Sequence, residues 1–173
     1  MKRIFALIAL TILATLSYSL SAQSIIGKWS CTAGPQVETM KAMGSTIEKS
    51  ITTQTFNDDS TYETYVYMKL HLTKESYSAS ILIEYTEHGT YSYANNTLTY
   101  FCNNIDFKSC DIQYDDPSLN AIKSYVEESV KGQFEQVYGG SAIYHVTFIS
   151  DNEANLKFEN DVMPIEFNII RTE

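Results

Sequence analysis

The sequence has few of the residues that usually carry out chemistry. It contains three histidines, three cysteines and one tryptophan in 173 residues. It has no Gly-x-Ser-x-Gly elbow, phosphate-binding loop or His-Glu-x-x-His motif. Without Cys-x-x-Cys or clustered His spacing, a zinc site is not expected. The sequence therefore predicts a protein that is not an enzyme and that uses no metal or cofactor.

Basic residues are also scarce. Twelve Lys and Arg stand against 21 Asp and Glu, which gives a formal net charge of −9. An acidic surface repels phosphate backbones and anionic membrane faces, so nucleic acid is not an expected partner. The chain has no repeat, low-complexity tract or obvious linker, which indicates a single domain.

The apolar run at the start of the chain is too short for a good membrane anchor. It covers residues 4–16, about thirteen residues, whereas a transmembrane helix needs about twenty. Lys2 and Arg3 precede it and small residues follow it, which is the pattern of a cleavable secretory signal. We expect cleavage after Ala22, leaving a mature domain of residues 23–173. Losing Lys2 and Arg3 takes the formal charge from −9 to −11.

The predicted destination is the periplasm or the medium. No cysteine stands next to the expected cut, so the mature protein is not expected to carry a lipid anchor. No transmembrane segment is expected after the signal is removed.

The mature region is rich in residues that favour strands. The chain has thirteen tyrosines and many β-branched residues. Between turns rich in Asn, Asp and Gly, the pattern indicates eight strands. They are 25–31, 46–56, 61–72, 77–93, 97–102, 142–149, 155–159 and 165–171. Eight antiparallel strands can close into an up-and-down barrel, which leaves no strand edge open.

One segment predicts a helix. Asp116 is suited to cap its start and Pro117 to occupy its first position. Apolar residues then recur at steps of three and four up to Val137, and Gly139 follows. We expect an amphipathic helix at about 117–137, inserted before the last three strands and packed on the sheet or across one barrel end. An alternative is an α+β fold in which this helix covers an open curved sheet.

Alternation along the third, fourth and last strands predicts the interior of the barrel. The predicted interior residues are Tyr62, Val66, Met68, Leu70, Ile81, Ile83, Tyr85 and Phe167. These side chains either fill the lumen as plain core or line a pocket for a small apolar ligand. Tyr65 and Tyr67 have the opposite parity and face outward. There they either anchor a protein partner or form ordinary cross-strand pairs.

The cysteines and histidines have structural interpretations. Cys102 and Cys110 could clip a loop with a disulfide in an oxidising compartment. Cys31 shares the face of Trp29 and is expected to be buried. His71 and His88 fall at opposite ends of a predicted hairpin, so they are not expected to share a metal or a catalytic role.

Several short motifs resemble those of lipocalin-like proteins exported by bacteria. Ile25-Ile26-Gly27-Lys28-Trp29 is similar to the Gly-x-Trp opening of that family. Three later stretches are similar to the small members of the family in their pattern of residue types: 55–62, 89–91 with 96–98, and 167–171. Avidin-like proteins share an eight-stranded barrel and a similar opening. In the lipocalin family the helix follows the last barrel strand, whereas the helix predicted here precedes the last three.

The resemblance implies structural roles for Gly27, Trp29 and Arg171, with the tryptophan packed beneath the arginine at a closed barrel end. It also implies a small apolar or lipid-like ligand inside the barrel, and this is the leading functional hypothesis. The alternative is a cell-envelope interaction module, such as an inhibitor or assembly factor, that uses the barrel as a scaffold.

Overall fold

The strands of the computed structural model, which describes residues 24–31, 45–74, 77–135, 140–158 and 165–173, close into a ring. Each strand pairs antiparallel with its neighbours in sequence, and the first pairs with the last. The strands are β1 Gly27–Cys31, β2 Ser45–Phe56, β3 Thr61–Lys74, β4 Tyr77–Ala94, β5 Thr97–Tyr114, β6 Ser141–Ser150, β7 Glu153–Phe158 and β8 Ile165–Arg171. The predicted eight-stranded up-and-down barrel is confirmed, and the open-sheet alternative is wrong because β1 and β8 pair.

The predicted helix is present between β5 and β6. It starts as a 3-10 turn, Pro117–Ile122, and continues as α1, Lys123–Glu135. The Asp116 carboxylate accepts a hydrogen bond from the backbone N–H of Ser118 at 2.9 Å, which caps the first turn as the sequence predicts. Residues 136 and 137 of the predicted helix lie outside the described part of the chain.

Unequal strand lengths give the barrel two different halves. β4 and β5 each have 18 residues, whereas β1 has 5 and β7 has 6. The pairing of β5 with β6 covers only 97–101, although β5 continues to Tyr114. Past that point α1 lies against β5 in place of a neighbouring strand. The ring of strands is therefore tight at the Trp29 end, which we call the closed end, and it flares at the opposite end.

Interior side chains divide between these halves into two packed groups. We call the group at the closed end the Trp29 cluster; it comprises Ile25, Trp29, Cys31, Phe56, Tyr62, Tyr91, Leu98, Tyr100, Val146, Ala154, Leu156, Phe167 and Ile169. We call the group at the flared end the Met68 cluster; it comprises Val66, Met68, Leu70, Ile83, Tyr85, Cys102 and Ile105. Burial of these apolar surfaces is the main force that stabilises the barrel.

The first and last strands meet where the resemblance implies. Trp29 is directly opposite Arg171 in the β1–β8 pair, and the guanidinium lies 4.3 Å from the centroid of the indole ring. Arg171 also donates hydrogen bonds of 2.6 Å to the carbonyls of Ser24 and Ile26. Gly27 has a φ of +127°, and a Cβ there would lie 2.5 Å from the Arg171 guanidinium. Glycine is therefore required both by the backbone and by the arginine beside it.

The predicted Cys102–Cys110 disulfide is wrong. The fifth strand extends to Tyr114 rather than ending at Cys102, so both cysteines lie in β5. Eight residues of extended strand span about 25 Å, whereas the Cα atoms of a disulfide lie within about 7 Å of each other. Both side chains are thiols in the structure.

No helix among the described residues is long and apolar enough to cross a membrane.

Candidate functional site

A carboxyl group lies inside the barrel, between the two apolar clusters. On β4 the inward residues alternate, and Glu87 follows Tyr85 on the interior face. The Glu87 carboxylate accepts a short hydrogen bond from the Tyr62 hydroxyl, whose ring belongs to the Trp29 cluster. The Cys102 thiol lies within hydrogen-bonding reach of the same carboxylate. Burying a carboxyl group is costly unless it is partnered, so its presence here requires an explanation.

Strand register brings further polar side chains beside Glu87. Gln54 on β2 is opposite Thr64 on β3, and Thr64 is opposite Glu87 on β4. This lateral row starts at Trp29, which is opposite Gln54 in the β1–β2 pair. Gln54, Thr64 and Glu87 therefore form a polar row across three adjacent strands, at the level of the Trp29 indole.

Two polar atoms near this row are buried without a hydrogen-bond partner. They are the Tyr100 hydroxyl and Gln54 Oε1. The Gln54 amide is close enough to lower the pKa of Tyr100, but it makes no hydrogen bond of good geometry with the hydroxyl. Buried polar groups in native proteins nearly always have partners, so two such orphans together indicate a place where a ligand supplies them. We call Gln54, Tyr62, Glu87, Tyr100 and Cys102 the Glu87 cluster.

Aromatic rings form the walls around these polar atoms. The rings of Tyr62 and Tyr100 meet edge to face at 4.9 Å, and those of Tyr100 and Tyr144 at 5.4 Å. Phe56 stands 5.8 Å from Tyr100 on the side of the closed end. Edge-to-face contacts fix the ring orientations and thereby the direction of the hydroxyl groups.

Burial sets the protonation states in the cluster. It raises the pKa of Tyr144 to about 12 and that of Cys102 to about 11, and the negative charge of Glu87 adds to both shifts. Burial also raises the pKa values of Tyr62 and Tyr100. These hydroxyl and thiol groups therefore keep their protons at neutral pH. Glu87 is the carboxyl member of the cluster, and burial raises its pKa as well.

The environment of Glu87 pushes its pKa in both directions. Burial is the largest influence and raises the pKa, while the hydrogen bonds from Tyr62 and Cys102 and the nearby His88 act to lower it. The net pKa lies above the ordinary value of a glutamate. The side chain nevertheless keeps some accessible surface although it faces the interior.

The predicted ligand-binding residues are divided between the two clusters. Val66, Met68, Leu70, Ile83 and Tyr85 belong to the Met68 cluster. Ile81 is partly buried and packs against the same group. By contrast, Tyr62 and Phe167 belong to the Trp29 cluster at the closed end. The sequence pattern therefore identifies inward-facing residues correctly but does not distinguish the two levels of the barrel.

The helix α1 covers the flared end. Val130 packs against the Met68 cluster. The Glu127 carboxylate accepts a hydrogen bond from the backbone N–H of Ile112 at 2.9 Å, and Lys123 forms an ion pair of 2.5 Å with Asp111. Among the described elements, the helix rests on β5 and on the 3-10 turn before it. It is therefore held along the side that faces β5.

The outward tyrosines are covered by lysines of the same sheet. The Lys108 ammonium lies 5.0 Å from the Tyr65 ring, and that of Lys49 lies 5.3 Å from the Tyr67 ring. The Tyr65 hydroxyl donates to Glu84 at 3.1 Å. These contacts match the interpretation as cross-strand pairs. The interaction-module hypothesis stays a prediction, with no specific contact of these tyrosines in its favour.

The histidines lie on the outer face and apart from each other. His88 is opposite Glu63, and its ring nitrogens lie 3.6 Å from that carboxylate and 3.3 Å from Asp106. His71 is opposite Ser80, at the other end of the β3–β4 pair. Within the described ranges, no group of three or more His, Cys, Asp or Glu side chains is arranged to hold a metal ion.

A concave region lies on the outside of the barrel near the closed end. This groove has a volume of about 720 Å³ and runs beside β1, β2 and β3. Its charged lining includes Lys28, Asp58, Glu63 and Glu173. It is open to solvent, and Lys28 lies 3.7 Å from Glu173 within it. The carboxylates of this groove therefore also attract cationic ligands.

The sequence pattern predicts Tyr62 as an interior residue but does not identify Glu87, Gln54 or Tyr100 as site residues. The inward series Ile81, Ile83, Tyr85 continues in steps of two to Glu87, so the residue itself was visible as a carboxyl on an apolar face. The proximity of Gln54 and Tyr100 was not visible, because it depends on register and closure. Comparison with protein-family models and with curated protein sequences finds no match for this chain.

Proposed function

We propose that this chain is an exported, lipocalin-like binding protein that holds a small apolar or lipid-like molecule inside its barrel. The observation that carries the proposal is the Met68 cluster, which lies where β5 has no strand beside it. A continuous apolar surface there faces a helix instead of a closed wall. Exported barrels with such interiors are suited to carry molecules that water dissolves poorly.

The weak attachment of α1 provides a route of entry. Val130 packs against the Met68 cluster, and Glu127 and Lys123 make polar contacts with β5. Polar contacts at a surface exchange readily with water, since an exposed ion pair contributes about 0–1 kcal/mol. Displacement of the helix from β5 would open the Met68 cluster without breaking the strand pairs of the closed end.

The chemistry of the cluster favours an aliphatic chain. Its walls are aliphatic and sulfur-containing side chains with an aromatic ring at one level, and methionine adapts to different ligand shapes. Each methylene that leaves water contributes about 0.8 kcal/mol. A chain of several methylenes therefore gives micromolar affinity after the entropic cost of binding.

A titration with the neutral fluorescent probe N-phenyl-1-naphthylamine tests this proposal on residues 23–173. We expect saturable binding at one site, with probe emission shifted to shorter wavelength. In Ile83→Phe, the added ring occupies the Met68 cluster and affinity falls about tenfold, the effect of about 1.4 kcal/mol. Ile51→Phe is the matched control, because Ile51 is an exposed residue on β2. Affinity there stays at the wild-type value.

Native mass spectrometry and solvent extraction of the exported protein provide a second test of interior binding. We expect a bound molecule that is released by organic solvent and that competes with the probe. Absence of any bound molecule, together with no saturable probe binding, would contradict an interior binding function. Equal loss of affinity in Ile83→Phe and Ile51→Phe would also contradict it, because binding would then not depend on the interior.

A further inference from the structure

We propose that the Glu87 cluster binds the ammonium group of an amphiphilic amine, with the apolar tail of the ligand in the Met68 cluster. This inference rests on the proposed function and specifies its ligand class.

The cluster has hydrogen-bond acceptor positions that its own side chains do not fill. Gln54 Oε1 is buried and accepts no hydrogen bond, and the buried Tyr100 hydroxyl, which can donate as well as accept, has no partner. The Glu87 carboxylate has two oxygens and about four acceptor positions, of which Tyr62 and Cys102 use some. An ammonium group has three N–H donors and no acceptor. It therefore complements this set, whereas a carboxylate or phosphate head does not.

The charge of the cluster has no cationic side chain on the interior side among the buried residues of the described chain, which include no Lys or His. The positive group that acts on Glu87 is His88, which lies on the outer face beside Glu63 and Asp106. Arg171 faces the indole at the closed end, where the carbonyls of Ser24 and Ile26 take its hydrogen bonds. A cationic ligand would supply a counter-ion inside the barrel, where a carboxylate gains most from one.

The aromatic walls suit a cation. Tyr62, Tyr100 and Tyr144 meet edge to face around the unpartnered hydroxyl. An ammonium group within about 6 Å of a ring face gains attraction from the ring quadrupole. The formal charge of −9 also raises the local concentration of cations around the protein.

The position of the cluster matches a ligand with a head and a tail. Cys102 belongs to both groups, since it is a member of the Met68 cluster and contacts Glu87. The carboxyl thus lies at the inner end of the apolar surface. A tail that enters from the flared end past α1 would place its head group at Glu87.

A ligand with a neutral head group is the competing interpretation of the Glu87 cluster. A protonated Glu87 would donate to a carbonyl or hydroxyl group of the ligand. However, the Tyr62 hydroxyl donates its hydrogen to the carboxylate, an arrangement that suits the ionised form of Glu87. A bound cation stabilises that form further.

The test compares three twelve-carbon probes that differ in their heads: dodecylammonium, dodecanol and dodecanoate. Each displaces N-phenyl-1-naphthylamine from residues 23–173 at pH 7.5, below its micelle concentration. We expect dodecylammonium to bind about tenfold or more tightly than dodecanol, and dodecanoate to bind most weakly. In Glu87→Gln, which preserves shape and removes the charge, the advantage of dodecylammonium over dodecanol disappears while dodecanol affinity changes less than about twofold.

Glu63→Gln is the matched control, because Glu63 is an exposed residue of the outer groove. Its dodecylammonium affinity stays at the wild-type value. Loss of dodecylammonium binding in Glu63→Gln, or equal binding of dodecylammonium and dodecanol to the wild type, would overturn the inference and leave interior binding intact. Tighter binding of dodecanoate would overturn it as well. If none of the three probes displaces the fluorophore and the fluorophore itself does not bind, the proposed function fails first.

Discussion

The buried carboxyl of Glu87 makes the stability of the folded protein decrease as the pH rises. Burial is the main cause that raises its pKa in the folded protein. The folded state therefore holds this proton more tightly than the unfolded chain does. Its contribution to stability is fully present below the unfolded pKa of a glutamate, about 4.3, and is lost as the pH rises through the folded pKa. Above the folded pKa, burial of the ionised carboxylate lowers the stability of the fold.

Replacement of this carboxyl should therefore stabilise the protein at neutral pH. Glu87→Gln keeps an acceptor for the Tyr62 hydroxyl and removes the buried charge. We expect its free energy of unfolding in urea to exceed that of the wild type by on the order of 1 kcal/mol at pH 8. The difference should vanish near pH 4, where the wild-type carboxyl is protonated. Glu63→Gln should show no such trend, and a gain that shrinks as the pH rises would contradict the assignment of Glu87.

At the scale of single elements, α1 governs access to the interior. Val130 is its contact with the Met68 cluster, and Ser129 beside it is exposed. In Val130→Ala the loss of apolar contact should loosen the helix at a cost of about 1 kcal/mol. We expect stopped-flow association of N-phenyl-1-naphthylamine to become severalfold faster, with faster amide exchange in residues 123–135 and unchanged exchange in β3 and β4. Ser129→Ala should behave as the wild type, and an unchanged association rate in Val130→Ala would mean that ligands enter by another route.

The irregular register of β5 explains why the second half of this strand could not be predicted from the sequence. Its register skips Asn103 opposite the His88–Gly89 step and Lys108 opposite the Glu84–Tyr85 step, so the strand contains two bulges. Each bulge shifts the parity of the inward residues by one. The period-two pattern that identifies β3 therefore fails after Cys102, and the prediction ends the strand there. The wrong disulfide follows from the same shortened strand.

For the whole molecule, alternation and turn residues were sufficient to predict the order of the strands and the place of the helix. The interior face of β3 followed from Val66, Met68 and Leu70 alone, because a buried face forces a period of two. The Glu87 cluster could not be predicted in this way. Gln54 and Tyr100 come near Glu87 only through register and closure, which join residues far apart in the chain.

Closure of the barrel depends on a short seam, the pairing of β1 with β8. The β1–β8 pair covers three register positions, from Trp29 opposite Arg171 to Cys31 opposite Ile169. The segment before β1 reinforces this seam. Ile25 is 1% exposed, and its carbonyl accepts a hydrogen bond from the Trp29 indole at 2.7 Å. The fold therefore uses the chain from Ser24 onward, immediately after the expected cleavage at Ala22.

Two truncated chains test this dependence. A chain of residues 23–173 keeps Ser24, Ile25 and Ile26, so it should unfold in urea with the full stability of the barrel. A chain of residues 27–173 lacks the buried Ile25, the acceptor of the Trp29 indole and both carbonyls that Arg171 contacts. We expect it to lose about 3 kcal/mol or more, from apolar burial and from hydrogen-bonding groups left without partners. Equal stability of the two chains would show that the seam holds without this segment. For the exported protein, the expected intact mass is that of residues 23–173, because a cut beyond Ser24 would remove groups that close the barrel.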